Sequence, residues 1–174
     1  MSRNHSAALP IAWITLRILI IVNWVFGACI LALLIYSIFN EPWMMRALGA
    51  SGFAGPRWVM MAMRAIAALG LVAVLFNYQV LKRLLEIVVT VRSGDPFVAE
   101  NAYRLNTIAW FLLGLQILSL VIGAIGKAIA AHANPFHTDA GVSVNGWLAV
   151  ILTFVLARVF AEGTLMREDL EGTV

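Results

Sequence analysis

The chain has 174 residues, of which 62% are hydrophobic and 12% are charged, and its formal net charge is +3. Soluble domains contain about 45–50% apolar and about 25% charged residues, and a domain of this length has too little interior to hide such an excess. The composition therefore excludes an ordinary soluble protein and predicts that lipid surrounds most of the chain. Because the basic residues are spread along the sequence without forming a basic cluster, we expect no direct binding of nucleic acid.

Four apolar runs are long enough to cross a bilayer, since a helix through a hydrocarbon core of about 30 Å needs about 20 apolar residues. They cover residues 18–39, 58–81, 105–129 and 147–166. The first run is longer than the apolar part of a signal peptide, which has about 7–15 residues. We therefore expect an all-α polytopic membrane protein, a single membrane domain over residues 1–174 with four transmembrane helices in an up-down bundle.

The distribution of Lys and Arg predicts the orientation of these helices. If the N-terminus is cytoplasmic, the basic residues on the cytoplasmic side are Arg3, Arg17, Lys82, Arg83, Arg92, Arg104 and Arg167. Fewer basic residues then lie on the opposite side, and an excess of Lys and Arg marks the cytoplasmic side. We expect a protein of the inner cell membrane with both termini in the cytoplasm. Trp43, Trp58 and Trp147 are predicted to form an aromatic belt at the outer interface.

The polar segment in the middle of the chain is predicted to extend the second and third helices into the cytoplasm as a helical hairpin over residues 82–104. Gly94 is expected to end the second helix, because glycine readily adopts the left-handed conformation found there. Asp95 suits the N-cap of the next helix and Pro96 suits its first position. From the residues alone, the hairpin is either a connector that packs against itself or a docking surface for a cytoplasmic partner.

A short central motif carries a family resemblance. It consists of Gly94-Asp95-Pro96-Phe97-Val98, then Glu100-Asn101, then Arg104-Leu105 at the start of an apolar helix. The motif resembles that of a bacterial membrane family known as domain of unknown function 2975, whose members are similar in length, in having four spans and in a short charged C-terminal tail.

Genes of this family often lie beside a gene for a small helix-turn-helix regulator. The resemblance therefore implies a membrane-bound regulator or anchor that docks such a transcription factor through the cytoplasmic hairpin. The residues expected to form the docking site are Asp95, Pro96, Phe97, Glu100, Asn101 and Arg104.

Two charged residues, Arg158 and Glu162, fall inside the fourth apolar run. A lone Arg deep in the bilayer costs about 3 kcal/mol or more, and residues four apart on a helix can pair. The pair either reaches the cytoplasmic interface or faces the bundle as a polar patch. Together with Gln116, it defines an alternative function, a small oligomeric transporter or channel subunit with a polar path.

The sequence offers no catalytic constellation. His5, His132 and His137 lie outside the apolar runs, so no pair of histidines can bind haem within the bilayer. His132, His137 and Asp139 share a loop, but zinc requires a fixed tetrahedral set of ligands. We expect no enzymatic activity, no cofactor and no bound metal.

Overall fold

The computed structural model describes residues 8–40, 57–131 and 143–171. These ranges contain four α-helices, which we number in chain order: α1 (Ala8–Phe39), α2 (Arg57–Arg92), α3 (Ala99–Ala130) and α4 (Val144–Glu171). All four are long and apolar enough to cross a membrane. The prediction of an all-α protein with four such helices is confirmed. Trp43, His5, His132, His137 and Asp139 lie outside the described residues.

The turn that ends α2 forms around Gly94, whose φ angle is +92°. The Gly94 N–H donates to the carbonyl of Val91 over 3.2 Å, and the Asp95 N–H donates to the carbonyl of Thr90 over 3.3 Å. These two bonds form a Schellman motif, which satisfies carbonyl groups left free at a helix end. The prediction that Gly94 ends the second helix is confirmed.

The predicted cap of the next helix is wrong. The N-cap position of α3 is Val98, an extended residue (φ −118°, ψ 146°) that makes no side-chain capping bond. Asp95 and Pro96 lie before this position, and the Asp95 carboxylate pairs with Arg167 of α4. The Asn101 N–H donates to the Val98 carbonyl over 2.9 Å and closes the first turn of α3 instead.

Polar contacts join helices α1 and α2. The Asn23 amide donates to the carbonyl of Val74 over 3.1 Å, and the Arg64 guanidinium donates to the carbonyl of Ser37 over 2.8 Å. Between them Gly27 lies so close to Val74 that a Cβ on the glycine would be 2.8 Å from a methyl group. Such small residues and interhelical hydrogen bonds are what hold helices together in lipid.

Aromatic rings pack the remaining neighbours together. The rings of Phe76 on α2 and Phe111 on α3 lie 5.3 Å apart, and those of Trp110 on α3 and Phe154 on α4 lie 5.5 Å apart. In the described part of the chain, Cα atoms of two different helices come within 8 Å only for helices that are consecutive in sequence. The four helices therefore form an open row in the order α1, α2, α3, α4.

Helix α4 is shifted along α3 toward the turn between α2 and α3, an end of the molecule that we call the hairpin end. Gly146, near the start of α4, packs so tightly against Gln116 of α3 that a Cβ on the glycine would overlap the amide group. Gln116 precedes Ala130, the last residue of α3, by about 21 Å at 1.5 Å per residue. The other end of α4 consequently extends alongside the hairpin end.

This shift separates two tryptophans that were predicted to lie at the same level. Trp147 follows Gly146 and lies close to the level of Gly114, which contacts the ring of Phe76. Trp58 is near the start of α2, about 27 Å along the helix from Phe76. Trp58 and Trp147 do not share one level, so the predicted belt containing both is wrong. A hydropathy pattern cannot give the offset between two helices.

Replacing Gly94 by Ala is expected to lower the free energy of unfolding by about 1–2 kcal/mol. The site has open space for a methyl group, so the cost comes from the left-handed backbone alone. Gly70→Ala is the matched control, because its Cβ would make an ordinary contact of 3.7 Å with Ile30 and Ala favours a helix interior. Unfolding of both variants in SDS mixed micelles, followed by circular dichroism, tests this. Equal stability of both would contradict it.

Candidate functional site

The side chain of Asn101 lies at the centre of the hairpin end and is 0% exposed. Its amide nitrogen donates to the carbonyl of Pro96 over 2.9 Å. Its oxygen accepts a hydrogen bond from the guanidinium of Arg104 over 2.8 Å and lies 3.0 Å from the hydroxyl of Thr90 on α2. We call these four residues the Asn101 network. The network joins the turn to both helices. Breaking it would leave the buried Asn101 amide without partners, which costs about 1–3 kcal/mol for such a group.

The Thr90 hydroxyl has three oxygens within reach. It lies 2.8 Å from the carbonyl of Ile87 and 3.2 Å from the carbonyl of Glu86, both on its own helix, and 3.0 Å from the Asn101 oxygen. A hydroxyl carries one proton, so it donates to one of these oxygens at a time. The bond from Arg104 leaves the Asn101 oxygen satisfied in either case.

An ion pair extends the Asn101 network along α2. The Arg104 Nε lies 3.2 Å from a carboxylate oxygen of Glu86, and the two side chains are 21% and 36% exposed. A charged hydrogen bond in partly buried surroundings is stronger than a fully solvated one. Arg104 thus joins the Glu86 carboxylate on α2 to the Asn101 amide on α3.

Helix α4 is attached to the turn by a charged contact and an aromatic contact. Arg167 pairs with the carboxylate of Asp95, across 72 positions of sequence. The ring of Phe97 lies 5.3 Å from that of Phe160, and Gly163 leaves room for it, since a Cβ there would be 3.2 Å from the Phe97 ring. We call these contacts of Asp95 and Phe97 the α4 clamp.

The six residues predicted for docking therefore have different surroundings. Asn101 is buried, and Arg104 is mostly covered by its contacts with Asn101 and Glu86. Phe97 remains 43% exposed although it contacts Phe160, and Glu100 is exposed. Asp95 and Pro96 are partly exposed. The structure brings all six to one end of the molecule, but only some of them can be reached by a partner.

The polar residues predicted to lie within the bilayer do not form one cluster. Arg158 pairs with Glu162 over 2.9 Å, and their side chains are 78% and 57% exposed, so neither is buried among the helices. Gln116 instead packs against Gly146, twelve residues before Arg158, or about 18 Å away along α4.

Arg158 lies level with the charged residues of the other helices. Arg158 and Tyr103 line one surface depression between α3 and α4. On α2, the Arg83 guanidinium lies 5.9 Å from the centre of the Tyr103 ring. Glu86 follows Arg83 by about one helical turn and Arg104 directly follows Tyr103, so the ion pair of Glu86 and Arg104 lies beside these residues. The shift of α4 thus places Arg158 beside the hairpin end, which the length of the fourth apolar run alone could not reveal.

Sequence reasoning missed several residues of this site, namely Glu86, Thr90, Tyr103, Phe160 and Arg167. For Glu86 and Thr90 a signal existed, because they are four residues apart on the helix that leads into the turn and therefore share one of its faces. For Phe160 and Arg167 no signal existed, because their partners Phe97 and Asp95 lie in the turn before α3, far away in sequence. In the described part of the chain, no group of three His, Cys, Asp or Glu side chains is placed to hold a metal ion.

The fold defines an all-α protein in which the four described helices are each long and apolar enough to cross a membrane. The sequence profile of a family described as "Protein of unknown function (DUF2975)" matches residues 17–174. The chain therefore belongs to this family, as its central motif predicted. No curated protein and no solved structure shows significant similarity to the chain.

Replacing Asn101 by Ala is expected to lower the free energy of unfolding by about 1–3 kcal/mol, because the Pro96 carbonyl and the Arg104 guanidinium each lose a buried partner. Asn106→Ala is the matched control, since Asn106 is exposed on the same helix and exposed substitutions change stability by about 0.5 kcal/mol or less. Denaturation in SDS mixed micelles measures both. A loss at Asn106 as large as that at Asn101 would show that the network does not stabilise the turn.

Proposed function

We propose that this protein is a non-enzymatic regulator or anchor of the inner membrane, which docks a small helix-turn-helix transcription factor through its hairpin end. In this proposal the four helices, which pack as an open row, cross the membrane in alternating up and down directions, with both termini and the hairpin end in the cytoplasm. The protein acts by holding its partner at the membrane and does not itself bind nucleic acid.

The concentration of charge at the hairpin end supports this orientation. At this end Arg17 precedes the first long apolar run, and Lys82 and Arg83 follow the second. An excess of basic residues marks the cytoplasmic side. Arg158 lies at the same level, because it lines one surface depression together with Tyr103. An exposed arginine at this level meets water or lipid headgroups, so its cost of burial in hydrocarbon does not arise.

The observation that carries the docking proposal is a well-braced turn whose tip stays exposed. The Asn101 network and the α4 clamp fix the backbone of residues 95–101. Beside this turn, Phe97 is 43% and Tyr103 is 66% exposed, and Glu100 is exposed between them. Fixed aromatic side chains lose little entropy on binding and are frequent in the centres of protein interfaces.

The alternative of a transporter or channel subunit receives less support from the same residues. A polar path needs its polar groups to face a common space between helices. Arg158 and Glu162 are turned outward and bind each other, while Gln116 is packed against Gly146 some distance away. These placements favour the docking proposal.

Cysteine labelling tests the proposed orientation. In a Cys29→Ala background, which removes the chain's single cysteine, Ser93→Cys places a thiol at the exposed turn. We expect a membrane-impermeant maleimide to label it in inverted vesicles and not in intact cells. Ser51→Cys, between α1 and α2 in sequence, is the control and should label in intact cells. The reverse pattern would place the hairpin end outside and rule out a cytoplasmic partner there.

Co-purification tests the docking site. With the full-length protein as bait and small helix-turn-helix proteins of the same genome as candidate partners, the double variant Glu100→Lys/Tyr103→Ala should reduce recovery of the bound regulator about tenfold or more, because exposed aromatic anchors carry much of the binding energy. Arg158→Gln is the control, since it changes another exposed charge at the same end. Unchanged recovery with the double variant would exclude this surface as the docking site.

A further inference from the structure

Two arginines from different helices converge on one tryptophan at the hairpin end. The Arg17 guanidinium lies 4.1 Å from the centre of the Trp13 ring on α1. The Arg92 guanidinium, at the end of α2, lies 5.9 Å from the centre of the same ring. Both arginines are exposed, and Trp13 is partly buried. Two positive charges are thus held close to each other by one aromatic side chain.

Neither arginine has an acidic partner among the described residues, in contrast to its neighbours at this end. Arg104 pairs with Glu86, Arg158 pairs with Glu162 and Arg167 pairs with Asp95. Arg17 and Arg92 instead place their guanidinium groups near the Trp13 ring. Two like charges side by side repel each other, so a group that binds both must carry negative charge.

The position of Trp13 indicates where that negative charge comes from. The apolar stretch Leu9–Phe39 is longer than the about 20 residues that a bilayer core needs, and Arg17 interrupts it. We therefore place the edge of the hydrocarbon core at residue 18, which puts Trp13 about 7 Å beyond it along α1. The headgroup layer of a bilayer extends about 5–7 Å beyond each side of the core. Tryptophan is enriched at this depth, and it is the depth at which lipid phosphate groups lie.

Side-chain direction brings both guanidinium groups to this layer. Side chains on a helix point back toward its N-terminus. Arg17 therefore points away from the apolar run of α1, and Arg92, at the far end of α2, points back toward the membrane. The two guanidinium groups therefore approach the Trp13 ring from opposite directions along the membrane normal, although the Cα atoms of the two arginines lie at different depths.

We propose that Arg17, Arg92 and Trp13 form a binding site for the phosphate group of an anionic phospholipid, with the acyl chains lying against the apolar outer face of α1. Guanidinium groups bind phosphate through paired hydrogen bonds, and basic sites between transmembrane helices on the cytoplasmic side bind such headgroups. The face of α1 above the site exposes Ile14, Ile18 and Ile21, which suit acyl chains. The site rests on the membrane placement proposed above but does not depend on the docking partner.

Native mass spectrometry of the full-length protein tests this site. The protein is released from detergent micelles that contain equal amounts of phosphatidylglycerol and phosphatidylcholine, and the ratio of the two retained lipids is measured. The wild type is expected to retain mainly phosphatidylglycerol. Arg17→Gln and Arg92→Gln should each lower the ratio about fivefold, as expected for one basic residue near an anionic surface.

Control variants separate this site from general charge effects. Arg158→Gln removes an exposed arginine at the same end that is already paired, and it should keep the wild-type ratio. Arg17→Lys and Arg92→Lys retain the charge, and they should lower the ratio less than the Gln variants, because an ammonium group cannot bind phosphate in a bidentate manner. They also provide a readout if the loss of charge prevents folding.

Three outcomes would overturn the proposal. The first is an unchanged lipid ratio in Arg17→Gln, Arg92→Gln and the two Lys variants. The second is an equal loss in Arg158→Gln, which would indicate attraction by net charge alone. The third is complete displacement of phosphatidylglycerol by millimolar inorganic phosphate, which would make free phosphate the ligand. Failure of the lipid site with intact regulator binding would leave the docking proposal in place.

Discussion

The amide of Asn101 holds together the part of the molecule on which the arrangement of the other helices depends. It is fully buried, and its two ends bind the turn before α3 and a side chain that reaches back to α2. These bonds fix the angle between α2 and α3, the two helices that the turn connects. The α4 clamp then uses the same turn, since Asp95 and Phe97 can meet Arg167 and Phe160 only while the backbone between them keeps this course.

The charged residues at the hairpin end divide into two groups with different roles. Arg104, Arg158 and Arg167 are each neutralised by a carboxylate of the same chain, so they contribute to internal contacts more than to the outer field. Arg17 and Arg92 contact an aromatic ring, so their positive charge is available to lipid. A partner protein would meet a third kind of surface, the exposed aromatic and acidic side chains of Phe97, Glu100 and Tyr103.

The sequence predicted the features that depend on one segment at a time. The four helices follow from the length of the apolar runs, and the end of α2 follows from the conformational freedom of Gly94. It could not predict features that two segments determine. Asn101 was assigned to a docking surface, and its burial among Thr90 of α2, the Pro96 carbonyl and Arg104 does not follow from the pattern of one helix. For Arg158 the sequence left the cytoplasmic interface and the bundle open. The offset of α4 against α3, seen in the contact of Gly146 with Gln116, favours the first, and no single-helix pattern contains that offset.

The open row of helices also bears on how the chain can assemble during synthesis. In the described residues α2, α3 and α4 each pack on the helix made just before them, so the main neighbour of each has already been synthesised when it emerges. Such local contacts favour rapid folding. The pairing of Asp95 with Arg167 is different, because it joins residues 72 positions apart. The turn between α2 and α3 therefore receives this brace only after α4 has been made, and a chain that stops before residue 167 lacks it.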